Sequence, residues 1–378
     1  MIKKIITIFS IAVLLYSCGS ESGNNNNYDD GFNRSELLAN LTDNIIIPSY
    51  NNFQQELINL EQSAINFTNN TDQDNLESLR SSWLDAYMAW QHIEMFDIAK
   101  AEEIDFRRKM NAYPCNTIRI DINISSENYD FNNSNHYSAQ GFPALDYLLN
   151  GLTDPIILFS GNDGQNYINY LNSLVQYMLL NTNEIINEWN NNRDLFINST
   201  ENTASSSLNK LTNDFIFYYE KGFRANKIGI PAGVFSGSPL PENVEAYYHN
   251  LNNNTTSKNL ALESFISIKK FFVGQYFDNS SEGTGISDYL NHLNAQEQGN
   301  NLSDLIISTF DEAELAITEL DQDLMSQINT NNNDMLVTYD KIQAAVPLLK
   351  IDMLVYLSID VDYIDADGDW FINNLKYN

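Results

Sequence analysis

The stretch NLESLRSSWLDAYMAWQHIEMFDIAKAEE, residues 75–103, carries the clearest helical pattern in the chain. Trp83, Tyr87 and Trp90 recur at spacings of three and four residues, and Glu94 continues the same series. This spacing places side chains on one face of an α-helix. We therefore predict a long helix with a buried aromatic face and a carboxylate at one end of that face.

Similar periodicity predicts helices along the rest of the chain, whereas runs of alternating polar and apolar residues are few. Residues 104–137 read as irregular. The other predicted helices cover residues 37–67 with a break near Pro48, 138–151, 164–191, 205–229, 302–320, and 334–360, a central helix with a kink at Pro347. The predicted fold class is all-α, with two antiparallel helical bundles, residues 35–195 and 196–378, and a cleft between them.

The first residues predict an exported, lipid-anchored chain. Lys3 and Lys4 precede the short apolar run 5–17, which ends in LYSC and resembles a bacterial lipobox. The resemblance implies that residues 1–17 are removed and that Cys18 carries lipid, which predicts anchoring to the outer membrane. Residues 18–34 are rich in Gly, Ser and Asn, which predicts a flexible tether similar to those of surface-exported lipoproteins of the Bacteroidetes.

The chain is strongly acidic, with 50 Asp and Glu against 20 Lys and Arg and a formal net charge of −30. A surface of this sign repels phosphate backbones, so binding to nucleic acid is not expected.

Two acids are the main candidates for a functional site, Glu94 and Asp146. A carboxylate at the end of a buried aromatic face needs a cation, a metal or a hydrogen-bond donor. Asp146 follows Pro143, a residue that fits a first helical turn, so a helix dipole alone would explain it. The alternatives for Glu94 are an ordinary ion pair with Lys100 or Arg107, or a metal site shared with Asp146.

The segment GFRANKIGIPAGVFSG, residues 222–237, is the third candidate. Arg224 and Lys227 are three residues apart, so they would lie on one side of a helix. Positive side chains near a helix C-terminus are favoured by the helix dipole, which alone would explain both residues. The helix should stop at Gly229 and Pro231, and the small residues that follow allow close backbone approach. We expect this segment to line the cleft.

The remaining reactive residue types give weaker signals. The four histidines, His92, His136, His249 and His292, have no metal-ligand spacing, and Cys115 reads as a small apolar filler. The tail VDYIDADGDW, residues 361–370, resembles half a calcium loop but has no acid at the twelfth position, so a polar turn is expected.

Four of these motifs, the Trp–Tyr–Glu helix, QGFPALDYLLNG, NKIGIPAGVFSG and DYIDADGDW, resemble in this order the imelysin-like proteins. The resemblance implies an all-helical fold of two related bundles in a bacterial envelope protein. The family signature, G-x-H-x-x-E, reads here Gly141-Phe142-Pro143-Ala144-Leu145-Asp146. Proline cannot ligate a metal or move a proton, so a His/Glu metallopeptidase centre is not expected.

The resemblance implies a binding protein that assists the uptake of iron, haem or a ferric chelate, with an outer-membrane transporter as a partner. Glu94 and Asp146 could supply hard oxygen ligands to Fe(III), and Arg224 or Lys227 could hold a ligand carboxylate. The alternatives are a structural, partner-binding surface lipoprotein and, less in keeping with the residues, a peptidase.

Overall fold

The computed structural model describes residues 30–251, 256–320 and 323–361. These residues are mainly helical, and the predicted all-α class is confirmed. Four π-helical segments also occur, Leu41–Ile46, Tyr147–Gly151, Tyr218–Gly229 and Leu348–Met353, with two 3₁₀ turns, Ser134–Ala139 and Pro241–Asn243. The α-helices are α1 (Arg34–Asn40), α2 (Ile47–Asn69), α3 (Gln73–Trp90), α4 (Lys100–Glu103), α5 (Phe106–Met110), α6 (Thr117–Ser126), α7 (Gly141–Asp146), α8 (Pro155–Ser160), α9 (Gly164–Asn198), α10 (Ser207–Phe217), α11 (Tyr247–Asn250), α12 (Thr256–Val273), α13 (Ile286–His292), α14 (Leu302–Glu319), α15 (Leu324–Gln343), α16 (Ala345–Pro347) and α17 (Leu354–Leu357).

Strands are minor in the described residues, as predicted. Two-residue strands β1 (Gln296–Glu297) and β2 (Asn300–Asn301) pair antiparallel between α13 and α14. No described helix is long and apolar enough to cross a membrane. The predicted signal segment, Cys18 and nearly all of the acidic tail motif lie outside the described residues.

Pro48 does not break the first helix, contrary to the prediction. The chain runs from α1 through the π-helical segment Leu41–Ile46 into α2, with proline in the first turn of α2. Proline cannot donate to the carbonyl four residues earlier, that of Asn44. The backbone N–H of Phe277 donates to this carbonyl instead, at 2.8 Å, so the helix continues without an orphaned acceptor.

The helix predicted over residues 75–103 is shorter than expected. α3 ends at Trp90, and Glu94 lies in the turn that follows, so the predicted stripe does not extend to Glu94. Trp83, Tyr87 and Trp90 are fully buried, as their spacing indicated. Residues 104–137 are more regular than predicted, since they contain α5, α6 and part of a 3₁₀ turn.

One continuous hydrophobic core runs through the described residues. In its first part, α2 packs against both α3 and α9; in its second, α12, α14 and α15 pack together with the π-helical segment Tyr218–Gly229. The two parts meet where α1 contacts α10, where α3 contacts α12, and where α7 contacts α11. The division at residue 195 stays a prediction and falls inside α9.

The last predicted helix differs from its prediction in two respects. α15 ends at Gln343, whose carbonyl is the one that Pro347 cannot bond, and the break falls at Ala344, one turn before the predicted kink. Pro347 itself has helical backbone angles, and the non-helical residue of this region is Asn331. The segment is also not central, because Ile351 and Val355 are 61% and 71% exposed.

The end of the predicted tether is held against the body. Phe32 stacks on Tyr289 of α13 with ring centroids 4.0 Å apart, and the Arg34 guanidinium donates to the Tyr289 hydroxyl at 2.7 Å. Residues 30–34 therefore belong to the folded part, because aromatic and charged partners fix them.

Candidate functional site

A buried lysine lies between two buried glutamates where the two parts of the fold meet. The Lys227 ammonium is 3.1 Å from a Glu94 carboxylate oxygen and 2.7 Å from one of Glu245. The side chains of all three are at most 7% exposed. One ammonium group thus pairs with two buried carboxylates. Such a buried ion pair is stable only if short contacts and further hydrogen bonds offset the loss of hydration.

Neutral side chains complete this ion cluster. Asn111 donates to both carboxylates, at 2.8 Å to Glu94 and 2.7 Å to Glu245, and the Tyr218 hydroxyl donates to Glu94 at 2.8 Å. The Gln91 side-chain oxygen accepts from Lys227 at 2.7 Å. We refer to Gln91, Glu94, Asn111, Tyr218, Lys227 and Glu245 as the buried ion cluster.

The cluster controls the protonation of Glu94. Burial by itself would raise the pKa of the Glu94 carboxyl, but Lys227, Asn111 and Tyr218 together lower that pKa below its usual value. Burial and the neighbouring Glu94 charge raise the pKa of the Tyr218 hydroxyl well above its usual value. Glu94 is therefore held as an anion and Tyr218 as a neutral donor.

Asp146 belongs to a different set of contacts. Its Oδ2 accepts the backbone N–H of Tyr248 at 2.8 Å, and its Oδ1 accepts that of His249 at 2.9 Å and the Asn150 amide at 3.0 Å. Asp146 thus binds N–H groups at the start of α11, a different helix from its own. The sequence offered a role for Asp146 at the end of its own helix, but its carboxylate binds the start of α11 instead.

The Asp146 carboxyl is almost fully buried, at 1% exposure. This burial raises its pKa to about 7, although the backbone N–H groups of Tyr248 and His249 and the Asn150 amide favour the anion. No hydrogen bond joins Asp146 to Glu94 among the described residues. Glu94 is instead linked to Glu245 through Asn111 and Lys227, whereas Asp146 accepts the backbone N–H groups of Tyr248 and His249 directly.

A small pocket with a cavity volume of about 80 Å³, partly open to solvent, adjoins Asp146. Residues from both predicted bundles line it, but Glu94 does not. Pro143 and Asp146 are among the lining residues, so the signature positions do face a pocket. The lining residues are Tyr113, Pro114, Cys115, Pro143, Asp146, Glu242, Val244, Ala246, Tyr247 and Tyr248. We call this the Asp146 pocket.

Gly141 and Phe142 fix the position of α7 beside this pocket. Gly141 has φ +68°, and a Cβ there would lie 2.1 Å from the Met110 carbonyl oxygen, so only glycine fits. The Phe142 ring stacks on Tyr87 with centroids 4.3 Å apart, and the Phe142 carbonyl accepts the Trp83 indole N–H at 3.2 Å. These two residues have a structural role and do not line the pocket.

The structure separates Arg224 from Lys227, whereas the sequence predicted that they share one side of a helix. Arg224 points to α15, where it donates to the Tyr339 hydroxyl at 2.7 Å. Both residues lie in the π-helical segment Tyr218–Gly229, which has more residues per turn than an α-helix. Residues three apart therefore diverge around its axis, and only Lys227 joins the buried ion cluster.

The segment after Arg224 packs against α15 and does not line the Asp146 pocket. The helical segment ends at Gly229, as predicted, and a Cβ at Gly229 would lie 2.8 Å from the Tyr339 ring. Pro231 is buried, and its carbonyl accepts the Leu240 N–H at 2.8 Å. The expected close backbone approach is present, but against a helix of the second part.

Sequence reasoning did not find several partners in these sites. Glu245 is 18 residues from Lys227, and Asn111 and Tyr218 come from other elements, so no local spacing connects them. Helical periodicity also gives no signal for the turn before α11, where Ala246 has φ +56° and the helix begins at Tyr247. This turn directs Glu245 into the ion cluster and Tyr248 toward Asp146.

His249 and His92 have local partners. His249 is half-buried beside Asp146, and its Nδ1 lies 2.6 Å from the Thr256 hydroxyl, while His92 pairs with Glu263 at 2.7 Å. Burial raises the pKa of the Cys115 thiol to about 12, which disfavours the thiolate, but Cys115 is half-buried and lines the Asp146 pocket, so it is not a filler inside the core. In the described parts of the chain no three His, Cys, Asp or Glu side chains are grouped to hold a metal ion.

The described residues form an all-helical protein with a pocket beside Gly141–Asp146, and comparison with known proteins identifies its family. The family model described as Imelysin matches residues 46–349, and the chain therefore belongs to the imelysin family. None of the functionally curated proteins matches the chain.

Two solved structures share the fold. One is from Parabacteroides distasonis and is described as an iron-regulated protein A precursor. It is 15% identical in sequence with a TM-score of 0.67, and the matched region covers 85% of this chain and 95% of that chain. The other, an imelysin-like protein from Psychrobacter arcticum, has 19% identity and a TM-score of 0.64, covering 88% and 97%.

Proposed function

We propose that this imelysin-family protein is a non-catalytic binding component of iron uptake, and that it holds iron, haem or a ferric chelate in the cleft where the two parts of the fold meet, with one end of the ligand in the Asp146 pocket. The observation that carries the proposal is the pocket itself, which is lined from both parts of the fold at the signature positions Pro143 and Asp146. The relative described as iron-regulated supports the connection with iron.

The contacts of the two acids support binding over hydrolysis. Asp146 accepts three N–H donors, and Glu94 is paired with Lys227 and two neutral donors. A hydrolytic mechanism needs a group that activates water, whereas these carboxylates already stabilise protein groups. Of the two acids that the sequence offered as metal ligands, Asp146 positions the start of α11 beside the pocket, and Glu94 belongs to the buried ion cluster.

We further propose that Cys18 anchors the protein to the outer membrane and that an outer-membrane transporter is its partner. The acidic body and the N-terminal motif support this location. A structural lipoprotein that only holds a partner is the second candidate, and it predicts no small ligand.

Calorimetric titration of the full-length chain in detergent with haem and with ferric citrate tests the proposal. We expect saturable binding of one of them, which is lost in Cys115→Phe because the larger side chain fills the pocket. Ile118→Phe is the matched control, since Ile118 is 72% exposed outside the pocket. Absence of binding by the wild type, or equal binding by both variants, would contradict the proposal.

A further inference from the structure

The Asp146 pocket has an unusual balance of charge and aromatic surface. Of its described lining residues two are acidic, Asp146 and Glu242, and none is basic. Glu242 is exposed and Asp146 is buried, so one carboxylate is open to solvent and the other lies inside. By contrast, the neighbouring ion cluster contains Lys227 between its carboxylates.

Three half-buried tyrosines, Tyr113, Tyr247 and Tyr248, contribute to the same lining. Tyr248 contacts Tyr247 and Tyr147 with ring centroids 5.1 and 5.3 Å apart, so neighbouring rings hold it in place. The face of an aromatic ring attracts cations through its quadrupole, most strongly where water is excluded.

Asp146 retains capacity for a further contact. A carboxylate can accept about four hydrogen bonds. Asp146 accepts three from the described residues, two on Oδ1 and one on Oδ2. One acceptor position on Oδ2 is therefore left for a donor or a positive charge in the pocket.

We propose that the Asp146 pocket recognises a small organic ammonium group, through the faces of Tyr113, Tyr247 and Tyr248 and the carboxylates of Asp146 and Glu242. The inference rests on the proposed function only in placing the ligand in this pocket. The group is either a free organic cation or the ammonium arm of a larger ligand.

Other ligand classes fit this lining less well. An anionic group fits this lining poorly because it meets two carboxylates and no basic side chain, so the acidic groups of haem or of a ferric chelate lie outside the pocket. An inorganic cation gains nothing from the apolar surface of Pro143 and Val244, and hard cations need more oxygen ligands than the lining offers. The alkyl groups of an organic ammonium ion match the apolar surface, while its charge matches the acids and the rings.

The test uses tetramethylammonium and choline, with 3,3-dimethyl-1-butanol as the neutral isostere of choline. Calorimetry on the full-length chain in detergent is run at an ionic strength fixed with sodium chloride. We expect saturable binding of both cations and at least about tenfold weaker binding of the neutral isostere. Affinity should rise with pH through about 7, because ionised Asp146 holds the cation more strongly.

Two variants separate the charge from the rings. Glu242→Gln removes one charge, and Tyr248→Leu removes one ring while keeping the backbone N–H that Asp146 binds. Each should weaken cation binding about tenfold, whereas Tyr248→Phe keeps the ring face and should bind as the wild type does. Glu319→Gln and Tyr356→Leu, both outside the pocket, are the matched controls.

The proposal is overturned if the neutral isostere binds as well as choline, if no cation binds saturably, or if Glu242→Gln keeps full affinity. Glu242 is exposed, so this variant folds even if Tyr248→Leu does not. Loss of cation binding with haem or ferric citrate still bound overturns only this inference. Cation binding without either iron ligand overturns the iron assignment alone.

Discussion

Replacing Lys227 with methionine should strongly destabilise the protein, because two buried carboxylates would lose their only shared cation. The Lys227 ammonium contacts Glu94 at 3.1 Å and Glu245 at 2.7 Å. Removal of one partner from a buried ion pair costs about 3–5 kcal/mol. Both glutamates keep neutral donors, Asn111 among them, so we expect a loss within that range and not above it.

The loss should depend on pH. In the wild type the pKa of Glu94 is lowered from 4.5, so its stabilising contribution is present above that value and is lost as the pH falls through the lower folded pKa. Without Lys227, burial raises the pKa of Glu94, so its anion destabilises the fold at neutral pH and protonation relieves the cost. The difference between wild type and variant should therefore be largest above about pH 7 and shrink toward about pH 5.

Urea unfolding followed by the fluorescence of the buried Trp83 and Trp90 measures this loss. The control is the neutral combination of Lys227→Met with Glu94→Gln and Glu245→Gln, which should recover much of the stability because no unpaired charge remains. A loss below about 1 kcal/mol, or one that is the same at pH 5 and pH 8, would refute the reasoning.

The remaining predictions concern single positions. Gly141→Ala should lower the melting temperature more than Gly237→Ala. Both glycines have positive φ, but only at Gly141 would a Cβ clash, at 2.1 Å from a backbone oxygen. Equal losses in the two variants would contradict this close approach. The pKa of Asp146 is raised from 3.8 to about 7, so ionisation of this carboxyl lowers the stability of the fold as the pH rises between these two values. Asp146→Asn should flatten the plot of melting temperature against pH in this range. An unchanged slope would show that Asp146 does not cause the pH dependence. In a Cys18→Ser chain, Cys115, whose pKa is raised from 9.0 to about 12, should expose roughly a thousandfold less thiolate at pH 8 than a simple thiol. Its higher intrinsic nucleophilicity offsets part of this loss, so alkylation by iodoacetamide, followed by mass spectrometry, should be at least about tenfold slower; alkylation at the rate of a simple thiol would contradict the raised pKa.

Local patterns in the sequence predicted the helices and their buried faces well. Trp83, Tyr87 and Trp90 are buried as their spacing indicated, and the helical segment of residues 205–229 ends at Gly229. Helical periodicity reports on neighbours within a few residues, and this is the scale on which these predictions were made.

The site was predicted only in part, because its contacts join distant segments. Glu94 and Lys227 were both singled out, but their pairing depends on Glu245 and on a turn at Ala246 that the sequence did not reveal. Pro48 shows the same limit, since the Phe277 N–H that allows the helix to continue comes from far along the chain. Four π-helical segments also shift which residues share a face, and apolar spacing alone does not report them.

The central claim is that the Asp146 pocket holds the physiological ligand. Native mass spectrometry of the full-length chain, purified in detergent from its own cells grown under iron limitation, tests it most directly. We expect the same bound small molecule on the wild type and on Ile118→Phe, and none on the pocket-filling variant Cys115→Phe. No bound molecule on the wild type, or the same molecule retained by Cys115→Phe, would contradict it.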